Sequence, residues 1–179
     1  MATINLPKAP KTNEVTVGKS YFLKVAKLDD QNKVVWVKVG GQRNSGITKN
    51  SESIDASHKT SGGWKSTLPG MLSWGTELDG LMMLNDEGVA IVELAFNQNE
   101  LVAVMFEYPD GTHEVGWAAV TEFSIDTPHD DVASLTGSLE GNGPLSERTT
   151  EEVDIYNIGK SVAAPAVAPL AAPKVATPK

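Results

Sequence analysis

The chain has 179 residues, 40% of them hydrophobic, with a formal net charge of -8 and a pI near 4.8. It contains no cysteine, which excludes disulfide staples, thiolate zinc sites and cysteine nucleophiles. No apolar run approaches the roughly 20 residues of a membrane-spanning helix, and the acidic balance lacks the clustered Lys and Arg that tight phosphate binding needs. Membrane insertion and stable nucleic-acid binding are therefore not expected.

Residues 1–16 mix Pro, Lys and polar side chains and read as an N-terminal arm. They lack the apolar centre of a signal peptide, so synthesis in a cytoplasm is expected rather than export. Residues 17–160 read as one mainly β domain. Ser20–Leu28 and Lys33–Val39 are rich in β-branched and aromatic residues, and Asp29-Asp30-Gln31-Asn32 between them suits a hairpin turn. Gly40-Gly41 then breaks or bends the second strand.

Asn50–Leu72 is polar and Gly-rich and reads as a long loop, unusual inside a compact domain. It carries Trp64, Leu68, Met71 and Leu72, which need cover. The expectation is a loop mobile in a free subunit and ordered by a neighbour. Asp86–Asn97 has apolar residues at helical spacing: Ile91, Leu94 and Ala95, and likewise Val92, Ala95 and Phe96. Asn85 or Asp86 can cap its start and Glu87 suits the first turn. Its Val and Ile content leaves a buried strand as the competing reading.

Leu101–Tyr108 and His113–Ile125 read as a hairpin around Pro109-Asp110-Gly111. In the second strand Val115, Trp117, Ala119, Phe123 and Ile125 alternate onto one face. Glu114, Gly116, Ala118, Val120, Glu122 and Ser124 fall on the other. Val132–Glu140 gives a further strand with Leu135 and Leu139 on one side. Residues 161–179 are almost wholly Ala, Val, Pro and Lys, and read as an extended tail, either solvated or docked on a neighbour.

Catalytic patterns do not emerge. His58, His113 and His129 lack the spacing of a helical metal pair, and His129-Asp130-Asp131 reads as a solvated turn. No nucleophile elbow and no phosphate loop is present. No enzymatic activity, metal or cofactor is expected. Among the tryptophans, Trp117 falls on an apolar strand face and reads as core, while Trp36 suits either side. Trp64, in a Gly-rich loop, reads as an interface residue. Exposed Trp on a β-sandwich also suits a monomeric carbohydrate-binding module, the alternative function.

One stretch is distinctive: Gly40-Gly41-Gln42-Arg43, then Glu52-Ser53-Ile54-Asp55-Ala56-Ser57, then Lys59-Thr60-Ser61-Gly62-Gly63-Trp64-Lys65 and Leu68-Pro69-Gly70. Trp74, Leu78 and Asp79-Gly80 continue it. Pro109-Asp110-Gly111, Thr127-Pro128-His129-Asp130-Asp131 and Gly141-Asn142-Gly143 follow at matching intervals. In this order the residues from about 17 to 146 resemble the TP901-1-like family of siphophage major tail proteins.

The resemblance implies a tail-tube-type β-sandwich or half-barrel with one flanking α-helix, a long inter-strand loop and extended termini. It implies hexameric rings stacked into a virion tail tube through which DNA is ejected. The implied partners are other copies of the chain, a tape-measure protein, a tail terminator and tail-tip or distal tail proteins. A decoration domain, present in some relatives, is not expected. The long loop becomes the inter-subunit element, through Ile54, Asp55, His58, Lys59, Trp64, Lys65, Leu68, Met71 and Leu72. Glu52, Glu77, Glu114, Glu122 and Glu140 become candidates for an acidic lumen that repels DNA. Solvated acids on an outer wall are the competing assignment for each.

Overall fold

The computed structural model describes residues 18–59 and 63–158. The expected arm (1–16) and Ala/Pro tail (161–179) lie outside the described residues. Among the described residues a 3-10 turn, Gly18–Ser20, leads into eight strands: β1 Phe22–Leu28, β2 Val34–Lys38, β3 Gln42–Asn44, β4 Ile47–Asp55, β5 Thr67–Leu81, β6 Leu101–Glu107, β7 His113–Asp126 and β8 Ser134–Asn142. One helix, α1 (Glu87–Gln98), joins β5 to β6. The pairings are antiparallel, in the order β2-β1-β6-β7-β8-β5-β3, with β4 also on β5.

The sheet curls into a half-barrel, and its two faces are covered by different elements. On one face α1 lays Val89, Val92 and Ala95 against Leu23, Val25, Val104, Leu78, Leu135 and Leu139. Each fully buried Leu or Val there contributes on the order of 1.5–3 kcal/mol of transfer free energy. On the opposite face the segment after β8 packs Val153, Ile155 and Ile158 over Val115, Met105, Trp36 and Trp117. The indole Nε1 of Trp117 donates to the Ile155 carbonyl at 2.8 Å.

The curl is drawn together by polar side chains. Gln42 of β3 accepts from the Leu23 amide at 2.9 Å and donates to the Leu23 and Val39 carbonyls at 2.6 and 2.7 Å. It thus stands in for ladder bonds between β3 and β1. Trp74 lies flat over Gly116 and Gly141. A Cβ on Gly141 would come within 2.2 Å of the indole, so only glycine admits the ring.

The helix forms where its spacing and cap predict. Asp86 caps it, its carboxylate accepting from the Val89 amide at 2.9 Å and from the Gly40 amide at 3.0 Å. Asn99, at φ 53°, ends it in the left-handed conformation. The buried stripe is Gly88, Val89, Val92 and Ala95. Leu94 and Phe96, expected on that stripe, are 53% and 42% exposed, because the helix turns its Val89–Val92–Ala95 side to the sheet.

Two sequence expectations are corrected. The single alternation through β7 fails at Thr121, where a bulge lets Val120 pair with Leu139 and Glu122 with Ser138. The extra residue flips the phase. Phe123 therefore packs on the α1 face with Val120, whereas Val115 and Trp117 pack on the other. The second correction concerns Asn50–Leu72, most of which is not loop. Ile47–Asp55 and Thr67–Thr76 pair as a ribbon, leaving residues 56–66 as its connection.

Candidate functional site

The ribbon is where the expected inter-subunit residues fall. The upper half of β5 pairs with β8 from Gly75 to Leu81, whereas among the described residues Thr67–Trp74 pairs with β4 alone. An isolated two-stranded ribbon is at best marginally stable in water. It leaves free backbone edges along both strands, which neighbours are well suited to pair or cover. Its side chains point the same way: Ile54 is 54% exposed, Leu68 54%, Met71 74% and Leu72 83%. A bulge at Glu52 and Pro69 at the ribbon's edge interrupt the ladder.

Ile54, Asp55, Leu68, Met71 and Leu72 are brought onto the ribbon itself, and His58, Lys59, Trp64 and Lys65 onto its connection, all exposed. Asp55 turns that connection: its carboxylate accepts from the Ser57 amide at 2.9 Å and is held below the usual range by the Ser57 hydroxyl and amide. Residues 60–62 lie outside the described residues. Trp64 is 83% exposed, while Trp36, Trp74 and Trp117 are packed into the two cores. A sugar platform of several exposed indoles is therefore not formed among the described residues.

The acidic candidates divide. Glu77, Glu122 and Glu140 share one sheet face. Ser138 stands directly opposite both Glu122 and Glu77, making a row Glu122–Ser138–Glu77 across three strands. In the next rows Thr136 lies between Ser124 and Asp79, and Glu140 between Ala119 and Gly75. Asp79 and Asp126 thus join the same face, two acids not picked out by sequence. The period-two spacing Glu77–Asp79 was the available signal. Ser, Thr, Gly and Ala separate the carboxylates, and no Lys or Arg stands among these paired positions. Glu77 and Glu140 also line one hollow of about 500 Å³ with Thr48, Asn50, Ser73 and Ser138. Glu52 sits apart, on the ribbon.

Glu114 is a correction. It is 6% exposed and points into the α1 face, which a lumen carboxylate cannot do. Lys49 of β4 donates to its Oε1 at 2.6 Å and the Tyr108 hydroxyl to its Oε2 at 2.9 Å. Burial, helped by Glu114, pushes the Tyr108 phenol up to about 12. The sequence pattern missed this because Lys49 is 65 residues away and reaches Glu114 only through the curl, although Tyr108 meets it across the β6–β7 hairpin.

The histidines do not converge. His129 lies 3.6 Å from Asp130 on an exposed turn, and among the described residues no group of three or more His, Asp or Glu is placed to hold a metal ion. Among the described residues no helix is long and apolar enough to cross a membrane.

A fold of this kind is known. The virion of a native gene transfer agent particle contains a chain with a TM-score of 0.65 and 24% identity, covering 75% of this chain and 99% of that one. The tail of an empty gene transfer agent particle, refined with C6 symmetry, matches at a TM-score of 0.65 and 24% identity over 74% and 98%. The SPP1 tail tube matches at 0.61 and 14% over 79% and 82%. No curated protein matches. The sequence itself matches the family model described as phage tail tube protein over residues 15–147. That span takes in all eight strands, the ribbon and the acidic face, and the chain belongs to the phage tail tube protein family.

Proposed function

We propose that this tail tube subunit assembles, copy against copy, into stacked hexameric rings whose channel carries DNA during ejection. The ribbon carries the proposal: an exposed two-stranded extension with four large apolar side chains has no stabilising partner among the described residues of the subunit. Six-fold order is supported by the C6 symmetry of the gene transfer agent tail that the fold resembles. The face bearing Glu77, Asp79, Glu122, Asp126 and Glu140 is the one suited to a lumen. Carboxylates spaced by small hydroxyl side chains offer DNA phosphates repulsion and no cationic anchor.

The proposed partners beyond the chain itself are a tape-measure protein, a tail terminator and distal tail proteins, with subunits made in the host cytoplasm before joining the virion tail. The test is electron microscopy of the purified chain at high concentration, with and without tail-tip components. Hollow tubes are expected. Substituting Leu72→Asp, at a side chain 83% exposed, is expected to abolish them while leaving the unfolding midpoint of the free subunit unchanged. A chain that stays monomeric with tip components present overturns the proposal.

A further inference from the structure

A cavity of about 340 Å³ opens at the seam where the curled sheet meets itself, between the start of β1, the β3–β4 junction and the end of β6. Its apolar lining is part of the α1-side packing: Phe106, Tyr108 and Ile47 belong to that core, and Tyr21 stands edge-on to Tyr108 with ring centres 5.6 Å apart. The charged groups of the lining are Lys19, Arg43 and Glu107. Glu107 is paired with Lys24 at 2.9 Å, whereas Lys19 and Arg43 are exposed and have no ion-pair partner among the described residues. The same opening borders β3, which pairs with β5 along one edge and has no ladder partner along the other among the described residues. The seam is thus an apolar hollow with a cationic rim beside an unpaired strand edge.

Gly18 lines this cavity, so the residues that precede it start at its mouth. A compact hollow of that volume is roughly 9 Å across, the span of about three extended residues, which takes the chain from Gly18 back to Val15. Glu14-Val15-Thr16-Val17 is rich in β-branched side chains, which favour extended backbone. Alternation gives such a segment an apolar side, Val15 and Val17, and a polar side, Glu14 and Thr16. Glu14 is the one acid among residues 1–17, and Lys8 and Lys11 stand upstream of the span that reaches the cavity. The other end of the chain fits less well. Residues 159–179 carry Lys160, Lys174 and Lys179 and no Asp or Glu, and they follow Ile158, which packs on the opposite face of the sheet.

We infer that residues 14–17 strap the seam of their own copy: they run extended along the unpaired edge of β3, with Val15 and Val17 turned into the cavity and Glu14 facing Arg43 beside Lys19. Gln42 already draws β3 toward β1 at this point through its bonds to Leu23 and Val39, and the strap completes that closure with apolar cover and a charge pair. The contact is intramolecular and stands whether or not copies of the chain assemble.

Because the chain has no cysteine, Val15→Cys with Ser45→Cys places one thiol on the strap and one in the cavity lining of the otherwise thiol-free full chain. Mild oxidation at a dilution where light scattering shows a monomer should join residues 15 and 45 within one copy, read as a monomer of altered mobility on denaturing gels and by peptide mass mapping. Lys8→Cys with Ser45→Cys should close about tenfold more slowly or worse, because a docked segment holds its thiol at a higher effective concentration than a tethered one outside the site. Hydrogen exchange of the parent should show residues 14–17 protected. Val15→Asp should remove that protection and raise exchange in β3, while β6, β7 and β8 keep theirs and so report a folded subunit. Glu14→Arg should slow the cross-link between residues 15 and 45, and adding Arg43→Glu should restore it. Equal closure by the two cysteine pairs, or residues 14–17 unprotected in the parent, overturns the inference. Cross-linked dimers as the main product at that dilution show the segment exchanged between copies and overturn it too. A charge swap that fails to restore the cross-link in a folded subunit overturns the pairing with Arg43.

Discussion

Glu114 shows how a single residue's role is decided by what the curl brings to it. A carboxylate 6% exposed would be costly unless paired, and here Lys49 and Tyr108 both donate to it. The lysine side is 53% exposed, so the ion pair itself contributes modestly; satisfying the buried carboxylate matters more. Tyr108 records the arrangement. Its phenol ionises at about 12 in the folded protein against 10.0 ordinarily, so the unfolded chain loses this proton first. The stabilisation is present below pH 10 and is lost as pH rises from 10 through 12. Ultraviolet titration is expected to show one phenol ionising near 12, and Glu114→Gln to bring it down by removing the carboxylate that opposes its ionisation. An unchanged titration would contradict the hydrogen bond.

At the scale of elements, the segment after β8 acts as part of the core although it has no regular structure. Ile155 is 5% exposed and covers Val115 and Met105, and its carbonyl holds Trp117. Upstream, Thr149 and His113 exchange backbone bonds, the Ser146 amide donates to the Val115 carbonyl while its hydroxyl accepts from the Val115 amide, and Arg148 pairs with Asp110 at 2.7 Å while stacking over Tyr108. Asp110 is held down to about 2, first by the Thr112 hydroxyl and then by the Thr112 amide and Arg148. The family match ends at residue 147, so Ile155 lies beyond what the family shares by sequence. Truncating it to Ala is expected to cost about 2–5 kcal/mol in urea unfolding, as for other buried large-to-small changes. A loss below half a kcal/mol would show that the segment leaves the sheet in solution.

At the scale of the whole molecule, the two halves of the sheet behave differently. β1, β6 and the first half of β7 are covered on both faces. The ribbon, β5, β8 and the end of β7 present a polar, acidic face on one side. That division suits a subunit with a self-sufficient core and a part completed by neighbours. Replacing Glu77, Glu122 and Glu140 together by Lys is expected to leave tubes intact, since these side chains are exposed and lie off the ribbon. The altered tubes should retain DNA in low salt and release it as salt rises, which the parent tubes should not do. DNA retention equal to the parent's would place this face outside the lumen.

Much of this was legible in the sequence because it depends on local rules. The hairpin turn at Asp29–Asn32, the capped helix after Asp86 and the stripe Leu135–Leu139 follow from backbone preference and periodicity, which need no knowledge of distant residues. The tube resemblance was legible in the ordered motifs from Gly40 to Gly143. The ribbon was not read as strands, because a segment exposed on both faces carries no two-residue apolar alternation, and Pro69 and Gly70 read as breaks. The β7 bulge was invisible for a different reason: one extra residue is a matter of register against β8, and register is a property of two strands together. The burial of Glu114, the seam beside Gln42 and the grouping of Asp79 and Asp126 with Glu77 belong to the same class. Each depends on how far the sheet curls and which strands it makes neighbours, and those are decided by long-range packing rather than by any local stretch of the chain.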